Sequence, residues 1–179
     1  MRTLIVYESM YGNTRQVAEA IADGCQRAGD ASAVRVGDFT SSQLTGLDLL
    51  VLGGPTHGWS MSRPSTRQTA ITKPGHSTPP VEAKLGEPGI RELLDQLSPP
   101  TCPVAVYDTR ISAPTLVTGR ASAAMTRRLR RLGVRPLGKP HSFLVSRTSQ
   151  LRAGELERAR LWGIELTEQQ ARLAGRQSQ

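Results

Sequence analysis

Cysteine is nearly absent. Cys25 and Cys102 are too few and too far apart for a disulfide framework or a cysteine-bound metal site. His76 and His141 have no neighbours in sequence that suggest a metal site either. Aromatic residues make up only 4% of the chain, and none interleave with its basic runs. The run Arg127-Arg128-Leu129-Arg130-Arg131 therefore reads as a solvated helical stripe, and specific nucleic-acid binding is not expected. No apolar stretch approaches the roughly 20 residues that span a bilayer, so no membrane association is expected. Met1-Arg2 leads straight into a strand-like run with no signal-peptide core, which makes a cytoplasmic protein the expectation. Acidic residues are the minority, 15 against 23 basic ones, for a formal charge of +8. That balance admits an acidic partner or an anionic cofactor.

What is present is an ordinary globular composition, 37% hydrophobic over 179 residues, which fits one domain spanning 1–179. Leu4-Ile5-Val6-Tyr7, Ala33-Val34-Arg35-Val36, Leu47 to Leu52 and Val104 to Tyr107 read as buried strands. Val134 to Leu137 and Ser142 to Val145 read as two pieces of a last strand, interrupted by Gly138-Lys139-Pro140. Helical spacing runs from Val17 to Ala28, stopped by Gly29, and from Ile90 to Leu97. It returns from about Gly119 to Leu132, stopped by Gly133, and from about Ala153 onward. Strands alternating with helices predict a doubly wound α/β fold, a parallel sheet with helices on both faces. Residues 60–89, with five prolines and few apolar anchors, read as a long loop insertion beside the active face.

Open parallel sheets bind ligands beyond the carboxyl ends of their strands, so the segments after the strands matter most. The first lacks both the G-x-G-x-x-G of a dinucleotide fold and the G-x-x-x-x-G-K-[ST] of a P-loop. The third strand ends in Gly53-Gly54-Pro55, without the aspartate of a phospho-acceptor. What remains is Ser9-Met10-Tyr11-Gly12-Asn13-Thr14 opening a helix, rich in short donors and without lysine or arginine. Helix N-terminal amides favour an anion, Ser9, Asn13 and Thr14 add side-chain donors, and Gly12 admits close backbone approach. This pattern suits a phosphate that is held rather than transferred. The plainer alternative, Asn13 or Thr14 acting only as a helix cap, stays open at this point.

Tyr7 to Thr14 followed by a helix resembles the FMN-phosphate loop of the flavodoxin-like superfamily. Gly53-Gly54-Pro55-Thr56 resembles its second loop, which holds the isoalloxazine ring. The resemblance implies a five-stranded parallel sheet of order 2-1-3-4-5 and FMN as cofactor. It also implies Pro55, Thr56, His57, Gly58 and Trp59 near the reactive edge, with Trp59 suited to stacking on the ring. Peptides around Gly58 would tune the redox state, and His57 would serve as donor or proton source. Asp108, Thr109 and Arg110 would lie along the pyrimidine side. Tyr11 departs from the Thr-Gly-Asn-Thr of typical flavodoxins, and Ser-Met-Tyr-Gly is closer to flavodoxin-like quinone reductases and to flavodoxin modules of multidomain oxidases. The basic charge departs from the acidic norm. The implied function is electron transfer to a redox partner protein or a small-molecule acceptor. NAD(P)H-dependent quinone reduction, with a pocket completed by a second subunit in a homodimer, is one alternative. A cofactor-free binding protein is another.

Overall fold

The computed structural model describes residues 1–72, 81–82 and 86–177. His76, Pro74, Pro79 and Pro80, and with them the middle of the expected 60–89 loop, lie outside the described residues. Strand β1 (Arg2–Tyr7) leads into helix α1 (Asn13–Cys25), then β2 (Asp30–Arg35) and β3 (Leu49–His57). A short β4 (Ser60–Met61), α2 (Pro64–Thr72) and α3 (Ile90–Gln96) follow. The chain continues through β5 (Val104–Ile111), the single turn α4 (Thr115–Thr118) and α5 (Ala121–Arg131), and ends with β6 (His141–Val145) and α6 (Glu155–Gln177).

The sheet order is β2-β1-β3-β5-β6, all parallel, with β4 added antiparallel to β3. Counting the five parallel strands alone, this is the expected 2-1-3-4-5. Alternation along the strands sorts side chains onto two faces. Leu4, Val6, Leu50, Leu52 and Val106 pack against Ile90, Leu94, Met125 and Leu129 on one face. Ile5, Tyr7, Val51, Tyr107 and Phe143 pack against Val17, Ile21, Trp162 and Leu166 on the other. The order places β1 and β3 side by side at the centre, where the winding direction reverses and a crevice opens.

The expected 60–89 loop opens with regular structure, because β4 pairs with the end of β3 and Pro64 starts α2, and two further boundaries differ from the sequence expectation. β3 does not stop at Leu52: Gly53, Gly54 and Pro55 continue in register with Tyr107, Asp108 and Thr109 of β5. Gly53 serves there because a Cβ would run into the Tyr107 ring. Val134–Leu137 forms no strand despite its apolar pattern. Val134 N–H instead closes the end of α5 on Leu129 O, and only Leu137 N–H reaches the sheet edge, at Val104 O. A strand-like run at a helix C-terminus was used to finish the helix.

Helices α1 and α6 meet backbone to backbone. A Cβ on Gly24 would strike the Arg160 carbonyl, and one on Gly163 would strike the Ile21 carbonyl. Gly163→Ala is therefore expected to push α6 off α1 and to cost about 1–3 kcal/mol, as overpacking does. Urea unfolding checks this, and an unchanged midpoint would show that the helices can part freely.

Candidate functional site

The loops after β1, β3, β5 and β6 meet at the carboxyl edge of the sheet. Hydrogen bonds between them fix their spacing. The Thr14 and Thr109 hydroxyls pair at 2.8 Å, and Tyr107 OH donates to Thr14 O at 3.1 Å, so the first turn of α1 is tied to β5. Asn13 Nδ2 donates to Ser149 O at 2.7 Å, which draws in the loop after β6.

Between these loops lies a cavity of about 270 Å³. One wall is Met10, Tyr11, Asn13 and Thr14; a second is Pro55, Thr56, His57 and Gly58; a third is Thr109 and Arg110. Ile111, Val145 and Ser149 complete it. Thus ten of the sequence-predicted residues converge on one space. Ser9, Gly12, Trp59 and Asp108 are not in its lining. Ser9 is buried in the loop behind Met10. Gly12 takes a left-handed φ of 79° that lets the chain turn into α1. Trp59 stands exposed at the tip of the β3–β4 hairpin instead of over the cavity. Asp108 is buried and accepts the Ser122 amide at 2.8 Å, so its side chain serves α5. Alternation explains the last difference: Tyr107 and Thr109 face α1, and Asp108 between them faces α5.

Helices α1, α3 and α5 all begin at this edge, and they differ in what meets their first amides. In α5, Thr56 Oγ1 accepts from Ala121 N at 2.9 Å and Asp108 from Ser122 N. In α3, Glu8 Oε2 accepts from Ile90 N at 2.9 Å, and Glu92 Oε2 accepts from Gly89 N at 2.7 Å. Helix α1 has no side-chain cap, and among the described residues the amides of Asn13, Thr14 and Arg15 have no partner. Expected caps Asn13 and Thr14 spend their side chains on Ser149 and Thr109 instead. Of the three helix ends, α1 alone offers its orphan N–H groups and positive dipole end to an outside anion.

Buried polar atoms around the site also lack a partner: Ser9 Oγ before α1, Arg110 Nε at the end of β5, and Asp108 Oδ1 and Ser122 Oγ where β5 meets α5. The other end of the Arg110 guanidinium is engaged, with Nη1 donating to Ala113 O at 2.7 Å and to Ile111 O and Thr118 Oγ1 at 3.3 Å. Arg15 and Arg35 flank the α1 loop, but both face Glu82, at 2.9 and 3.5 Å. Their charge is largely spoken for, which leaves anion binding here to backbone dipoles and short donors.

Glu8, beside the loop, carries a role that sequence reading missed. Its carboxylate is buried and receives the Ser62 hydroxyl as well as the Ile90 amide. Arg67, also buried, donates to Ser62 Oγ at 2.8 Å and to Glu92 at 3.0 Å. Burial raises the Glu8 carboxyl above its ordinary value, opposed by the Ser62 and Ile90 hydrogen bonds and by Arg67. This network pins the β3–β4 hairpin and α3 against the end of β1. Its other members lie 54 to 84 positions beyond Glu8 in sequence, so no local pattern around Glu8 announces it.

His57 lines the cavity with no hydrogen-bond partner among the described residues, and burial lowers its imidazole below the ordinary 6.5. It is thus neutral at pH 7. A depressed folded value means its contribution to stability is full above 6.5 and is lost as pH falls through the folded value. A proton NMR titration is expected to give a midpoint below 6.5; a midpoint at or above it would place the ring in open solvent.

This sheet order, with its ligand crevice beyond β1 and β3, is the flavodoxin-like fold. The family model described as Flavodoxin matches residues 5–65, the span from β1 through the β3–β4 hairpin. Among solved structures, a flavodoxin from the domain Archaea superposes with a TM-score of 0.66 at 17% identity, covering 96% of this chain and 99% of that one. The rubredoxin oxygen:oxidoreductase of Desulfovibrio gigas gives 0.67 at 13% identity, covering 97% of this chain and 37% of that larger protein. A WrbA-like flavodoxin from Agrobacterium tumefaciens gives 0.60 at 18%, covering 96% and 98%. A sequence search of curated proteins returned no match. No helix among the described residues is long and apolar enough to cross a membrane, and none of their His, Cys, Asp and Glu side chains cluster as metal ligands.

Proposed function

We propose that the chain binds FMN in the carboxyl-edge cavity and passes electrons between partners. The observation that carries this is the contrast among helix ends: α3 and α5 are capped by the protein's own side chains, and α1 is open beside the buried, unpartnered Ser9 hydroxyl. The N–H groups of Asn13, Thr14 and Arg15 and the Ser9 hydroxyl would hold the phosphate. Pro55 to Gly58 and Thr109 to Ile111 would hold the ring, with Arg110 Nε free to donate to a carbonyl oxygen. FMN, when bound, supplies the capacity to take up and release electrons at physiological potential. His57, neutral and unpartnered, can donate or accept a proton at the cavity wall.

Titrating the purified chain with FMN while following flavin fluorescence tests the reading. Quenching to an equimolar end point is expected; undiminished fluorescence past that point would refute it. The flavin-loaded protein mixed anaerobically with NADPH then separates a carrier, which stays yellow, from an NAD(P)H-dependent quinone reductase, which bleaches rapidly.

A further inference from the structure

The cavity opens onto an edge built by residues 57–63, 110–120 and 146–154. These three segments carry Arg63, Arg110, Arg120, Arg147 and Arg152 and not one aspartate or glutamate. All but the half-buried Arg110 are exposed, and none forms an ion pair among the described residues. By contrast, Arg15, Arg35, Arg67 and Arg128, elsewhere on the molecule, each meet a carboxylate.

The same edge displays the three most exposed large apolar side chains among the described residues, Leu116 at 92%, Trp59 at 67% and Val117 at 62%, and beside them Ile111 at 46%. The other large exposed apolar residues are all on α6. Trp59 pairs as an isolated bridge with Gly119, so the hairpin tip and α4 stand side by side, and Ile111 joins them to the cavity wall. Trp59 is held outward by its backbone. The hairpin turns on Gly58 and Trp59 with φ of 53° and 64°, a geometry that suits asparagine or glycine and strains a bulky side chain. A contiguous apolar patch of this kind on an otherwise charged surface marks an interaction site.

We propose that this edge docks a protein whose contact face is apolar at its centre and acidic at its rim. Arginine around an apolar core is the composition of protein interfaces, and the uniform positive rim selects carboxylates by charge complementarity. A second copy of this chain would bring the same arginines against themselves. A dinucleotide would need cations converging on a cleft, whereas these are spread over three loops around protruding side chains. The proposal deepens the electron-transfer reading and rests on it for why a partner should come to this edge, next to the ring.

The experiment uses the FMN-loaded full chain and two probes, an acidic ferredoxin and a basic cytochrome c, with binding followed by thermophoresis at about 20 mM and about 300 mM salt. The ferredoxin is expected to bind at low salt and to weaken at high salt, and the cytochrome to fail. Arg120→Glu/Arg147→Glu and, separately, Leu116→Ser are each expected to weaken ferredoxin binding about tenfold or more. FMN quenching should be unchanged in both variants, because none of these residues lines the cavity. No ferredoxin binding at low salt, or binding indifferent to the charge reversal, overturns the proposal. So does NADPH binding, or self-association by sedimentation, that is lost in these variants in its place. If FMN fails to bind and the ferredoxin still docks with the same dependences, the cofactor reading falls and the docking surface stands.

Discussion

Arg67→Leu is expected to cost about 3–5 kcal/mol of stability at neutral pH, the scale on which removing one partner from a buried ionic network is felt. The guanidinium is buried and bonds both Ser62 Oγ and Glu92. Without it Glu8 keeps a buried carboxyl with one fewer compensating charge, and Glu92 loses the partner that steadies the start of α3. The effect should depend on pH with a definite sign. Glu8 already sits above its ordinary 4.5 through burial, and Arg67 is among the groups that hold it down. Removing Arg67 raises it further. A group with a raised folded value stabilises fully below its unfolded value and loses that contribution as pH rises through the folded one. The deficit of the variant is therefore largest at pH 7 and shrinks on acidification toward 4.5. Glu8→Gln, which keeps an acceptor without the charge, should cost less, about 1–2 kcal/mol. Urea unfolding at two pH values checks all three statements. A deficit below about 1 kcal/mol that ignores pH would show that the network is dispensable.

The second large effect concerns the loop proposed to hold the FMN phosphate. Gly12→Val is expected to weaken FMN binding about 10- to 100-fold, or about 1.4–2.8 kcal/mol. Gly12 has φ of 79°, which costs an L-residue about 1–2 kcal/mol and a β-branched one more. A Cβ there would also lie 2.7 Å from Glu82 Oε1. The Glu82 carboxylate can swing aside, so the strain falls on the left-handed backbone, whose relaxation would move the amides of Asn13 to Arg15. Gly133 supplies the control. It has the same φ of 79° with open space around it, in the turn after α5 and away from the cavity. Gly133→Val should lose stability and leave FMN affinity alone. Equal affinity in the two folded variants would remove the loop from the site.

Much of this was legible in the chain. The continuous apolar runs Leu4 to Tyr7 and Leu47 to Leu52 marked strands buried on both faces, and helical spacing marked α1, α5 and α6. The segment Ser9 to Thr14 stood out because a strand, a short-donor turn and a helix are local signals. Pairing is not local. Gly53-Gly54-Pro55 reads as a breaker, and only the register with β5 makes it strand. Trp59 invited stacking because of its type and place in the loop, but the left-handed turn that carries it depends on the β3–β4 pairing. Asp108 shared a loop with Thr109 and Arg110, and the pleat turned it to the other face. Glu8 sat within the opening motif, while its partners Ser62, Arg67 and Ile90 arrive only when the hairpin, α2 and α3 fold back over β1.

In the proposed function the open end of α1 holds a phosphate. The most direct measurement compares the dissociation constants of FMN and riboflavin, which share the ring and differ in that group. FMN is expected to bind about 100-fold more tightly or better, a difference of about 2.7 kcal/mol carried by dipoles and short donors. Equal binding of the two, or of neither, would contradict the account.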